Sequence, residues 1–155
     1  MTLFASRKTL FGLGLVGLMA TSPAFAADIA RLTAQATAGN AQAQFDLGNA
    51  YIKGDGVAID RWQGVKWYLK AADQGLAQAQ SELALQYADD GQAGDKAEAD
   101  KWIVLATDAD THYLPVMRTI EAGMTIDDVH KGHLLAQDWQ TNHPHPVNSA
   151  TIVGH

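Results

Sequence analysis

The stretch Ala41-Gln42-Ala43-Gln44-Phe45-Asp46-Leu47-Gly48-Asn49-Ala50-Tyr51 returns 36 residues later as Ala77-Gln78-Ala79-Gln80-Ser81-Glu82-Leu83-Ala84-Leu85-Gln86-Tyr87. Self-similarity at this period marks a chain built from stacked units, none of which can bury its apolar face alone. Such stacks present surfaces, and each unit touches only its neighbours. The echo therefore constrains the architecture before any single residue is weighed.

Each copy reads as two helices. In the first, Ala43, Leu47 and Tyr51 recur every four residues and share a face. Gly48 lies beside that face, where a missing side chain admits a second helix. The Lys53-Gly54-Asp55-Gly56-Val57 segment suits a turn with positive φ. Asp60, followed three residues on by Gln63, opens the second helix as a capping pair. That helix carries Val65, Tyr68 and Ala72 near one line, with Trp67 and Ala71 beside them, and Gly75 ends it. The second copy repeats the scheme from Asp95 and Glu98 through Trp102 and Ala106, with one residue fewer between its helices. A deletion confined to a loop is expected where the helices carry the packing.

Two units do not close a repeat core, so the flanks must cap it. Ile29, Leu32 and Ala36, ended by Gly39, form a lone helix of the second type ahead of the first unit. Downstream, Tyr113, Val116, Met117 and Ile120 have helical spacing, with Pro115 in the first turn, where it is tolerated. Gly123 breaks the chain. Thr125 caps a last helix that carries Asp127 and Asp128 in its first turn, where negative charge suits the helix dipole. Val129, Leu135, Ala136 and Trp139 mark its buried side. The expected fold is all-α: a short α-solenoid of antiparallel helix pairs, about seven helices, in residues 27–142. Its repeat units span about 40–75 and 76–110. A loose tail is expected over 143–155.

Residues 1–26 have a different character. Arg7 and Lys8 precede an uncharged apolar run from Leu10 to Ala20. Ser22-Pro23 breaks the run, and Ala24-Phe25-Ala26 has the small-x-small pattern of a processing site. This is the layout of a bacterial secretory signal peptide, with cleavage expected after Ala26. The apolar run is well short of the roughly 20 residues that cross a bilayer, so no stable membrane insertion is expected after processing. The expected destination is the periplasm, with secretion as the variant. The chain has no cysteine, which excludes both a lipidated cysteine and disulfide stapling. Its formal charge of −6 at pH 7 would become more negative once Arg7 and Lys8 were removed. An acidic chain without a basic stripe is a poor nucleic-acid binder.

At these residues the pattern resembles the Sel-one-like repeat family, relatives of the tetratricopeptide repeats. The first unit carries the resemblance through Ala41, Ala43, Leu47, Gly48, Tyr51, Gly54, Gly56, Val57, Asp60, Trp67, Ala71, Ala72 and Gly75. It departs at Gly64, where the family usually has Ala. A mid-helix Gly there is expected to cost up to about 1 kcal/mol relative to Ala. The second unit matches at Ala77, Ala79, Leu83, Tyr87, Asp95, Ala99, Trp102 and Ala106, and departs at Ala84, Thr107 and Asp110. The stretch from Met124 through Trp139 is similar to the closing helix of bacterial members. The resemblance implies protein–protein contact by a helix-pair solenoid, and it lends no catalytic residue.

Residues that fill space between helices are the least available to a partner. On a helical wheel Phe45, Asn49 and Ile52 point away from the matched face, and Ser81 and Leu85 are their counterparts. Since the first helix of each pair lines the concave side in tetratricopeptide-like stacks, these five residues are the candidate groove for a protein or peptide. The competing reading has Phe45 and Leu85 packing against a neighbouring helix. Histidines offer an alternative function: His143, His145 and His155 in the tail could hold copper, nickel or zinc, as in a periplasmic metal-binding protein, and His130 and His133 share a helix face. Without a closed ligand set, such histidines are ordinary solvated residues, and no metal or cofactor is expected. The acidic pairs Asp89-Asp90, Asp108-x-Asp110 and Asp127-Asp128 sit near helix ends, where capping explains them. With no nucleophile elbow, phosphate loop or cysteine nucleophile, the reading is a non-catalytic exported adaptor. A secreted, host-directed binding protein is the other alternative.

Overall fold

The computed structural model describes residues 23–89 and 96–143. The apolar run of the leader, the Asp95 cap, His145 and His155 lie outside the described residues. Among the described residues seven α-helices follow in order: α1 (Pro23–Thr37), α2 (Ala41–Lys53), α3 (Arg61–Asp73), α4 (Ala77–Asp89), α5 (Lys96–Ala109), α6 (Leu114–Glu121) and α7 (Ile126–Asn142). A 3₁₀ turn at Thr111–Tyr113 leads into α6, and no strand occurs among the described residues. The chain is an all-α solenoid of helix pairs. α2 packs on α3, α4 on α5, and α5 on α7, while α1 covers α2 and α3 joins the two units through α4. α1 extends from Pro23 across the expected processing point after Ala26.

Helix ends follow the local chemistry of the sequence. Asn40 caps α2 by accepting a 2.8 Å hydrogen bond from the Ala43 amide, and Asp60 caps α3 from the Gln63 amide at 3.0 Å. Gly54 ends α2 at φ +79°, a conformation that costs glycine little. At the start of α7, the Thr125 hydroxyl accepts from the Asp128 amide while the Asp128 carboxylate accepts from the Thr125 amide. Pro115 stands in the first turn of α6.

The echoed glutamines have a role that periodicity alone does not reveal. Gln44 and Gln80 are both buried, and each side-chain amide donates to a carbonyl eight residues earlier, Ala36 at 3.0 Å and Ala72 at 3.2 Å. Each is a second donor to a carbonyl at the C-terminal end of the preceding helix, which also accepts from the Gly39 or Gly75 amide, so the glutamine ties one helix to the next. Gly39 and Gly75, also 36 residues apart, turn the chain between those helices at φ +94° and +83°. The repeat thus extends back into α1, which is the second helix of an incomplete unit.

Two cores result. Leu32, Ala36, Ala43, Leu47, Tyr51 and Trp67 pack where α1, α2 and α3 meet. A larger core gathers Tyr68, Ala71, Ala72, Leu83, Ala84, Trp102, Ile103, Ala106, Ile120, Ala136 and Trp139. In the first unit, α2 and α3 approach at two glycines. A Cβ on Gly48 would stand 2.5 Å from the Tyr68 ring, and one on Gly64 would stand 2.7 Å from the end of Ile52 and 3.1 Å from the Gly48 carbonyl. The departure at Gly64 is therefore an accommodation to close packing, which offsets the propensity cost expected from sequence. The second unit uses Ala84 and Ala99, both fully buried, at the corresponding places.

Candidate interaction surface

Packing against α3 decides what α2 can offer. Phe45 stacks on Tyr68 with ring centroids 5.5 Å apart, and the Tyr68 hydroxyl donates a 2.9 Å hydrogen bond to the Asn49 side-chain oxygen. Ile52 lies over the backbone at Gly64. These three residues are brought together along one edge of α3, half-buried, and each is tied to it. Burial, reinforced by the Glu82 carboxylate, raises the Tyr68 phenol above its ordinary pKa, so the hydroxyl stays a donor to Asn49 at neutral pH.

The other two expected groove residues separate. Ser81 is 5% exposed, because α4 has α3, α5 and α6 around it and that side of the helix is covered. Leu85, one turn on, is 39% exposed.

A groove of about 450 Å³ opens instead between α3 and α4, lined by Arg61, Trp62, Val65, Lys66, Leu69, Gln86 and Tyr87. Its rim is Trp62, 78% exposed. A tryptophan placed this openly leaves a large apolar face in water. Arg61 reaches Asp89 across the groove mouth at 3.3 Å, an exposed pair that adds little stability but ties α3 to α4. Val65, Leu69 and Tyr87 are half-buried and form the floor. The sequence signal for this groove was Trp62 itself: it lies outside the repeat pattern and off the apolar line of its helix.

Acidic pairs near helix ends mostly serve the fold. Asp110 accepts from the His112 amide at 2.8 Å, and Asp108 accepts from Gln140 of α7 at 2.8 Å. His143 ends α7 and stacks on Trp139 with centroids 4.4 Å apart. One carboxylate departs from this scheme. Asp100, on α5, is fully buried, and no N–H or hydroxyl among the described residues donates to either of its oxygens. Burial pushes its pKa up to about 6; the His133 charge opposes the rise, and Glu121 adds to it by its charge and by accepting from the Asp100 carboxyl when that is protonated. Periodicity could not flag Asp100, since a helix-end explanation served for the other acidic residues.

No family model matches the sequence, and a comparison with curated proteins finds no match either. Solved structures do match. A protective antigen present in uropathogenic Escherichia coli strains, displaying an SLR fold, is 27% identical with a TM-score of 0.69, over 84% of this chain and 30% of that one. A Sel1 repeat protein from Oxalobacter formigenes is 29% identical with a TM-score of 0.56, over 79% of this chain and 92% of that one. The chain thus spans less than a third of the length of the first of these neighbours.

Proposed function

We infer that this chain, which belongs to the Sel-one-like repeat family, is a non-catalytic module that docks a segment of another protein and works outside the cytoplasm after export. The observation that carries the binding reading is the α3–α4 groove, where Trp62 stands open above the apolar floor of Val65, Leu69 and Tyr87. Exposed aromatic anchors beside a pocket are where binding energy concentrates. Arg61 and Lys66 on the same wall favour a segment that combines an apolar side chain with a carboxylate. Leu85 is exposed on α4 but does not line this groove. Phe45, Asn49 and Ile52 are read as supports that hold α3 in place, and Ser81 as core.

Export rests on the leader: Arg7 and Lys8, the run Leu10 to Ala20, and Ala24-Phe25-Ala26. Among the described residues no helix is long and apolar enough to cross a membrane. Likeness to a protective antigen is in keeping with a location beyond the cytoplasm. Processing after Ala26 would shorten α1 from its N-terminus while leaving Leu32 and Ala36 on α2.

The test is affinity capture from envelope extracts with cross-linking and mass spectrometry. The parent is expected to yield a protein whose cross-links map to the Lys66 side of the groove. Trp62→Ala and Lys66→Glu should lose it, and Leu134→Ala on α7 should keep it. Capture that survives both groove variants overturns the groove. The N-terminus of the protein recovered from fractionated cells is expected at Ala27, and a cytoplasmic chain beginning at Met1 overturns export.

A further inference from the structure

Asp100 stands in the second unit where Val65 stands in the first: each lies two residues before the tryptophan of its helix, Trp102 and Trp67. One copy has an apolar residue at this place and the other a carboxylate with no exposed surface. A buried charge without donors is costly, and natural structures pair it, neutralise it or place it on a metal. What faces Asp100 is unusual in kind. The His133 Nε2 lies 3.7 Å from Asp100 Oδ2 and 3.9 Å from Glu121 Oε1, and the three donor atoms all fall within 4.8 Å of one another.

We propose that Asp100, Glu121 and His133 bind one divalent transition-metal ion, with Zn²⁺ the metal whose preferences fit best. Two carboxylates and an imidazole nitrogen are a mixed donor set suited to zinc and its neighbours, whereas calcium and magnesium take oxygen ligands. Tetrahedral ligands held about 2.0–2.1 Å from zinc lie about 3.3 Å apart. The present separations close to that range by small rotations of Glu121 and His133, both of which retain solvent access.

Charge supports the assignment. Two carboxylates face a single imidazole, so the ionised cluster is left negative whether or not His133 is protonated. A dication balances it. Packing supports it as well. In α7, Gly132 lies directly on Asp100, and any Cβ there would collide with the carboxylate. The missing side chain brings α7 close enough for His133, the next residue, to face Asp100.

Three protein ligands leave a coordination position free. Beside Glu121 and His133 opens a cavity of about 470 Å³, also lined by His130, Met124, Thr125 and Val129. The fourth position faces this cavity, where a water or a donor from a docked partner completes the set. Because the three ligands come from α5, α6 and α7, the ion would tie the closing helices to the second unit.

The test uses the full chain in a background with His143→Gln, His145→Gln and His155→Gln, so that tail histidines contribute nothing. Zn²⁺ is titrated by calorimetry, and thermal melts are recorded with and without it. One equivalent should bind and raise Tm by several °C at saturation. Glu121→Gln and His133→Gln should each weaken binding by at least about tenfold, since even outer-sphere partners are worth that much. Asp100→Asn should abolish the response yet melt higher than the parent without metal, because it removes an orphaned charge while keeping the shape. That opposite pair of effects separates a ligand from a residue that merely packs. Absence of a Zn²⁺ response in the parent, or an equal response in all three variants, overturns the site.

Discussion

At the scale of single residues, the first unit depends on the absence of a side chain. Gly48 is legible in sequence as a place where a second helix comes close, and in the folded chain the Tyr68 ring fills that space. Tyr68 is 1% exposed and held by its hydrogen bond to Asn49, so it cannot swing aside. Gly48→Ala is therefore expected to destabilise the protein by about 1–3 kcal/mol, the range for forcing extra volume into a packed core. Gly64→Ala should cost less, because the end of Ile52 can move and the change gains about 1 kcal/mol of helix propensity. Urea unfolding of the two variants checks the order, and a Gly48→Ala midpoint equal to that of the parent would contradict it. Propensity reads Gly64 as a weak point in a helix. The reason for it lies across the interface, on Ile52 and the Gly48 carbonyl, and no local pattern contains that information.

At the scale of elements, caps were readable and partners were not. Thr125, Asp127 and Asp128 announce the start of α7, and the structure shows the reciprocal capping box. Hydrogen bonds from the Thr125 hydroxyl and amide lower the Asp128 pKa below the ordinary carboxylate value. A carboxylate whose pKa falls on folding stabilises the native state above its unfolded pKa and loses that contribution as pH falls through the folded value. The stability lost in Asp128→Asn should thus be fully present above about pH 5 and should shrink as pH drops below about 3.9, the unfolded Asp value. Chemical denaturation of parent and variant across pH 2.5 to 7, a window set by those reference values, measures the gap; a gap that widens on acidification would refute the sign. By contrast, Gln44 and Gln80 were visible only as echoed letters. Their task is to tie each helix to the one before it, by donating to the Ala36 and Ala72 carbonyls of the preceding helices. It becomes apparent only when those helices are stacked.

At the scale of the whole molecule, the array divides its surface from its core at the repeat positions. Several residues that the two copies share, such as Leu47 and Leu83 or Ala43 and Ala79, are buried, whereas the shared Gln42 and Gln78 are exposed and Tyr87, the echo of Tyr51, reaches the groove floor. Positions where the copies differ contain the candidate chemistry: Val65 on the groove floor against Asp100 in the polar cluster. Trp62, being exposed, should be removable at little cost, so Trp62→Ala is expected to change unfolding free energy by no more than about 0.5 kcal/mol. A larger loss in thermal or urea unfolding would mean that Trp62 packs in the fold and does not wait for a partner. The all-α repeat architecture, the number of helices and most of the residues between them were determined by the sequence alone, because a 36-residue period and a four-residue apolar spacing are one-dimensional signals of burial. Which face is open was decided only in three dimensions. α4 is enclosed by α3, α5 and α6, which covers Ser81 and leaves Leu85 out. α5, α6 and α7 bring Asp100, Glu121 and His133 together across 33 residues of chain. Convergence of that kind is a property of how helices cross, and spacing along a single chain does not encode it.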